Sequence, residues 1–235
     1  MPGYVIHLAE AKLIVDKLEK TMSNIKLKVT WREEFYYGAL LPDAIEKSKK
    51  GLSHFWNKKD IKCITMVPDL DAFCKKYVGK RDDPVYWGYL LHLQLDRLFW
   101  EKFMKKNVEF IDKEGKETEL LENVAGVKLK KNGKIIGVKE FFSEEYLYGD
   151  YTKLNKYLIK KYNLNVPEYN QRYHNIVKEV KSEDMERVLA NLKRYLMESE
   201  EKVLKVFSKD SLEKFIENTA RQFCERIIAG KHEWK

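Results

Sequence analysis

The sequence predicts a mainly α protein, a multi-helix bundle that carries a small antiparallel β-hairpin insertion. Three observations lead there. Apolar residues recur at i, i+3, i+4 spacing through most of the chain, and a helix-starting signal, Asp82-Asp83-Pro84, precedes its longest apolar stretch. Short β-like runs separated by turn residues are confined to about residues 108–140. With 235 residues and no Pro-, Gly- or Ser-rich linker, the chain reads as one domain, 1–235, with the insertion inside it.

Taken in order, apolar positions at Ile6, Ala9, Leu13, Ile14 and Leu18 predict an amphipathic helix over about Ile6 to Met22. Arg32 to Leu41 reads as a short apolar helix stopped by Pro42. Asp43 then opens a polar stretch through Lys50, and His54 falls in a loop. Asp69 to Val78 reads as a short helix. Pro84 suits the first turn of the long buried helix, which runs to Lys106 and Asn107. VEFIDKEGKETEL and GVKLKKNGKIIGVKEFF each supply a run, a turn signal and a second run, with Asn132-Gly133 the strongest two-residue hairpin signal. Helical patterning returns from Ser143 to Tyr162, breaks over Asn163 to Pro167, and resumes in Glu183 to Glu201 and Asp210 to Ala229, with Gly230 placed just past the last turn. The tyrosines Tyr146, Tyr148 and Tyr151 either pack one helix on another or wall a pocket.

A composition 44% hydrophobic and 35% charged is that of a globular protein and excludes a disordered chain. The apolar run from Val85 to Leu95 is interrupted by His92 and Gln94 and is too short to span a bilayer. The N-terminal stretch lacks the basic start and uninterrupted apolar core of a secretory signal. Cys63, Cys74 and Cys224 form no C-x-x-C pair, and an odd count suits a reducing compartment. A cytoplasmic location is therefore expected. The net charge of +8 favours anionic partners, but basic and acidic residues alternate and no nucleic-acid motif stands out.

Chemistry concentrates in five residues. His92 and Asp96 stand four apart in the apolar helix, on one face and about one turn apart, where burying an imidazole and a carboxylate is costly without compensation. A divalent cation would compensate; so would a hydrogen bond between the two. His7, Asp43 and His54 lie upstream in apolar or aromatic contexts, whereas His174 and His232 have polar neighbours. Singly, each has a plainer reading: Asp43 as a helix N-cap after Pro42, the histidines as ordinary core or surface residues. Together they form a mixed nitrogen and oxygen ligand series suited to zinc, with iron or manganese possible.

The segments FYYGALLPDAIEKSKKGLSHF and DPVYWGYLLHLQLDRLFW, with His7 ahead of them, resemble the bacterial zinc-dependent phospholipase C proteins, an α-helical family related to the zinc-dependent single-strand nucleases. The resemblance covers roughly the first 105 residues. It implies that Asp43, His54, His92 and Asp96 bind one zinc, and that Asp96 bridges to a second held also by His7. It further implies hydrolysis of an anionic phosphoester by a metal-activated water, with Asp43 orienting or deprotonating that water. The family's three-zinc members add a further His and a His-x-x-x-Glu; here Lys178 stands four residues after His174, so one or two metals are expected. The candidates for holding phosphate are Lys47, Lys49, Lys50 and Arg97, with nothing in the sequence to choose among them. No His-Asp dipeptide, G-x-S-x-G, phosphate-binding glycine loop or H-E-x-x-H occurs. The rival reading is a non-catalytic protein with a structural metal, or with a basic surface for an acidic partner.

Overall fold

In a computed structural model the chain is mainly helical, with a small three-stranded antiparallel sheet among the described residues, 2–21, 29–167, 176–197 and 203–230. Helix α1 (Tyr4–Thr21) packs against α2 (Val29–Leu40), α8 (Leu147–Tyr162) and α10 (Lys209–Ile228). Enclosure by three neighbours buries every residue from Val5 through Ala11, where the periodicity alone predicts one apolar face. Two polar side chains, His7 and Glu10, are buried with them.

The predicted long helix is α5 (Pro84–Leu98). Asp83 caps it, accepting a hydrogen bond from the Val85 amide at 2.8 Å, and Pro84 occupies the first turn. The helix widens into a π-helical stretch at Phe99–Met104 and ends through α6 (Lys105–Asn107), so the predicted end holds while the winding changes. Helices α2 and α5 approach so closely that two glycines are required. A Cβ on Gly88 would fall 2.1 Å from the Phe35 carbonyl oxygen, and one on Gly38 would fall 2.4 Å from that of Val85. The crossing sets the main chain of α2 beside the His92 side chain.

Between α2 and α5 the chain forms a 3-10 turn at Leu41–Asp43, a second at Lys47–Lys49, the short helix α3 (Lys50–Ser53) and helix α4 (Leu70–Lys76), which Asp69 caps through the Ala72 amide. After α6 come β1 (Val108–Ile111), β2 (Gly126–Leu129) and β3 (Ile135–Ile136), with Val108 opposite Leu129 and Val127 opposite Ile136. Asn132 and Gly133 do lie in the β2–β3 connection, and Gly133 is left-handed at φ 74°. The loop is longer than two residues, because Leu129 donates to the Lys134 carbonyl and also accepts from the Gly133 amide.

Helix α7 (Val138–Phe141) follows, and α8 starts at Leu147, not Ser143: the Glu144 carbonyl folds back so far over Gly149 that a Cβ there would lie 1.8 Å away. Asn163, left-handed at φ 49°, ends it. The buried Asp150 carboxylate accepts from the Lys205 and Val206 amides, pinning the approach to α10 against α8. Helix α9 (Met185–Met197) starts two residues after the predicted Glu183, behind a 3-10 turn at Ser182–Asp184, and the predicted end at Glu201 lies outside the described residues; α10, capped by Ser208, is followed by left-handed Gly230. His174 and His232 lie outside the described residues. No helix among those described is long and apolar enough to cross a membrane.

Candidate metal centre

The five residues singled out in the sequence converge. His7, Asp43, His54, His92 and Asp96 are all buried, and two overlapping groups, His7 with His92 and Asp96, and Asp43 with His54 and His92, could each hold a metal ion. Local structure explains each placement. His92 and Asp96 share a face of α5, and His7 lies in the first turns of α1, its ring stacked on that of His92 at 3.7 Å with 4° between planes. Pro42 sits inside the 3-10 turn that carries Asp43, and the carboxylate caps no helix. Instead Lys50 Nζ reaches Asp43 Oδ1 at 2.5 Å. His54 ends α3, and Phe55 after it is left-handed at φ 49°, an uncommon conformation for a bulky residue. The rings of Phe73 and Tyr89 clamp Phe55, and the Tyr89 hydroxyl donates to the Ser53 carbonyl.

Hydrogen bonds behind the rings aim the histidines. His92 Nδ1 lies 2.8 Å from the Ala39 carbonyl oxygen, and His54 Nδ1 lies 3.1 Å from that of Lys50. A carbonyl accepts only, so His92 Nδ1 carries hydrogen, while His54 Nδ1 is also met by the Ser53 hydroxyl at 2.9 Å; with hydrogen on Nδ1 a neutral ring presents the lone pair of Nε2. Those two Nε2 atoms face each other at 3.3 Å. Asp43 Oδ1 lies 3.5 Å from His54 Nε2, and Asp96 Oδ2 lies 3.5 Å from both Nε2 atoms. The other oxygen of Asp96 turns to His7 Nε2 at 3.4 Å. Among the described residues, neither His7 nitrogen and neither Asp96 oxygen has a hydrogen-bond partner, and burying polar atoms that way is costly unless something else engages them.

Electrostatics follow the crowding. Burial lowers the His7 pKa to about 4, the neighbouring His92 adding to the effect, and burial likewise lowers that of His54. For His92 burial acts downward too, but the Asp96 carboxylate beside it raises the pKa above the ordinary value. Burial alone would raise both aspartates; the neighbouring His54 and the charge of Lys50 hold Asp43 far below the carboxylate range, and His92 and His7 do the same for Asp96. The centre therefore sets two ionised carboxylates beside two imidazoles that burial keeps neutral, His7 and His54, and a third, His92, whose proton the Asp96 charge favours.

A cleft of about 500 Å³ opens beside Asp43 and is bordered by Gly3 and Tyr4, at the start of α1 just before His7. It separates the four candidate phosphate-holding cations. Lys47 and Lys50 line the cleft, Lys49 pairs with Glu46 on the surface, and Arg97 pairs with Glu101. Tyr148 and Tyr151 wall the cleft, while Tyr146 packs and accepts a hydrogen bond from Lys134, so the tyrosine cluster serves both purposes. Two features escaped the sequence reading. Trp56 borders the cleft next to His54, and Glu10, one turn after His7 on α1, is wholly buried with burial raising its pKa to about 8. The i, i+3 spacing from His7 is the signal that could have marked Glu10.

No family model, curated protein or solved structure matches the chain.

Proposed function

We propose that the protein is a metal-dependent phosphoester hydrolase whose centre takes zinc. The observation that carries this reading is the set of four contacts at 3.3, 3.5, 3.5 and 3.5 Å among His54 Nε2, His92 Nε2, Asp43 Oδ1 and Asp96 Oδ2. Zinc bonds of ~2.0–2.1 Å to nitrogen or oxygen place the corners of a tetrahedron about 3.3–3.5 Å apart. These four separations match the spacing that such an ion asks of its ligands, although Asp43 and Asp96 belong to different donor groups. Asp96 directs its second oxygen to His7, the arrangement of a carboxylate bridging two positions, as the phospholipase C resemblance implies.

The two positions differ in openness. Each position draws three donors, with His92 common to both: Asp43 and His54 at the first, His7 and Asp96 at the other. Three protein ligands leave a further position for water or substrate, the hallmark of a catalytic site, and Asp43 is the ligand that borders the cleft. A bound divalent ion supplies charge neutralisation at phosphoryl oxygens and lowers the pKa of a coordinated water toward ~7. Asp43, ionised throughout the physiological range and bordering the cleft, orients a water by accepting its hydrogen bond. His92 and His54 hold their lone pairs inward through the Ala39 and Lys50 carbonyls. Lys47 and Lys50 make the cleft attractive to an anion.

The burial of all five donors also favours a second reading, a purely structural metal. The test is elemental analysis of the purified protein, followed by hydrolysis of aryl phosphomonoesters and phosphodiesters before and after chelation. One or two equivalents of zinc with chelator-sensitive hydrolysis supports the enzyme; bound metal without cleavage of any ester in a broad panel supports the structural role; a well-folded chain that takes up no metal refutes both.

A further inference from the structure

The cleft beside Asp43 carries hydrogen-bond donors that nothing among the described residues satisfies. The Tyr151 hydroxyl is buried without a partner, on a residue only 7% exposed, and the Trp56 indole N–H is buried without a partner as well. Both residues line the same cleft as Asp43 and Lys50. Tyr151 comes from α8 and Trp56 from the turn after His54, so two distant segments bring donors to one place. An unpaired buried donor costs stability comparable to a lost hydrogen bond, so such donors at a cleft mark where an acceptor arrives with a ligand. Lys50 adds a positive charge, its ammonium held against the Asp43 oxygen that also faces His54.

We propose that Tyr151 and Trp56 donate hydrogen bonds, and Lys50 its charge, to phosphoryl oxygens of the bound substrate; this rests on the phosphoester reading above. Two hydrogen-bond donors and a cation, set around a cleft that reaches a ligand carboxylate, are complementary to a tetrahedral oxyanion with several acceptor oxygens. A neutral ligand would leave the Lys50 charge uncompensated once Asp43 is engaged by metal. The aromatic faces of Tyr4, Tyr148 and Tyr195 elsewhere in the cleft suit an organic group borne on that phosphate. Lys50 is thereby distinguished from Lys49 and Arg97, whose charges are spent on Glu46 and Glu101, away from the cleft.

The test uses the zinc-loaded full chain and inorganic phosphate as the probe, with affinity read by calorimetry and metal content measured alongside. Tyr151→Phe keeps the ring that packs near Phe99 and Phe207 and removes only the hydroxyl. Tyr151→Phe and Lys50→Met should each weaken phosphate binding by about 10-fold or more, the scale of a lost hydrogen bond to a charged group, at unchanged metal content. Wild-type binding with equal binding by both variants overturns this assignment and leaves the hydrolase reading standing. Failure of metal-loaded wild type to bind phosphate overturns that reading and this assignment together. Loss of metal from Tyr151→Phe would make the hydroxyl a support for the ligand set, and would also overturn its role toward phosphate.

Discussion

Glu10→Gln should stabilise the protein, and the gain should grow with pH. Glu10 is wholly buried in α1, and neither carboxylate oxygen has a hydrogen-bond partner. The nearby Thr219 hydroxyl already donates to the Phe215 and Ile216 carbonyls. Burial raises the pKa of Glu10 from 4.5 to about 8. Between those values the folded chain holds a proton that the unfolded chain has released, so stability is complete below pH 4.5 and is lost as pH rises through 8. At about 1.36 kcal/mol for each pH unit of difference, Glu10 costs about 1 kcal/mol at pH 5, about 3 at pH 7 and about 4 at pH 8. The near-isosteric amide has no such titration. Urea unfolding of both metal-free chains, followed by tryptophan fluorescence from pH 5 to 8, isolates the effect, because the histidine titrations are common to both and cancel in the difference. At pH 7 the variant should melt about 6–12 °C higher. A stability difference that stays flat from pH 5 to 8 would falsify the argument, since it would mean that Glu10 is ionised in the fold.

Other perturbations address the centre itself. His92→Ala should remove most of the bound metal, because His92 serves both groups of donors, and so should Asp96→Ala, because its two oxygens face His7 on one side and His54 and His92 on the other; elemental analysis that finds full metal content in either variant would refute the shared centre. Asp43→Asn should retain the fold and part of the metal while hydrolysis falls by about 10² or more at equal occupancy, and unchanged turnover with metal bound would remove Asp43 from the reaction. Gly88→Ala forces a methyl group against the Phe35 carbonyl and should cost about 3 kcal/mol or more in denaturant unfolding. It should also weaken metal binding, by displacing His92 from Ala39; unaltered metal affinity would show that the crossing does not position the ligand.

What the sequence made legible was local. The Asp83-Pro84 start and the apolar run define α5, the i, i+4 spacing puts His92 and Asp96 on one face, and turn residues between short β-like runs mark the sheet. The set of converging residues could be named because each sits in a distinctive short context. What remained hidden depends on distances between segments far apart in the chain. Gly38 and Gly88 look like helix-weakening residues until α2 and α5 are seen in contact. Lys50 is one of several lysines until its ammonium is found on Asp43. The polar stretch after Pro42 becomes two 3-10 turns and α3 because the chain must bring Asp43 and His54 back to α5 within a few residues. Tyr151 became more than a packing residue only when its hydroxyl was seen to lack an acceptor.

The five converging residues all lie between positions 7 and 96, whereas Tyr148, Tyr151 and Asn155 of the cleft belong to α8 and Tyr195 to α9. On a ribosome adding ~5–20 residues per second, residue 151 follows residue 96 by about 3–11 seconds. The donor set is therefore chemically complete on a nascent chain that still has no cleft. If the centre takes a metal as proposed, that interval allows uptake before the α8 wall of the cleft exists. On the same reading, order of synthesis separates loading of the centre from access by an ester, and α8 is the segment whose arrival joins the two.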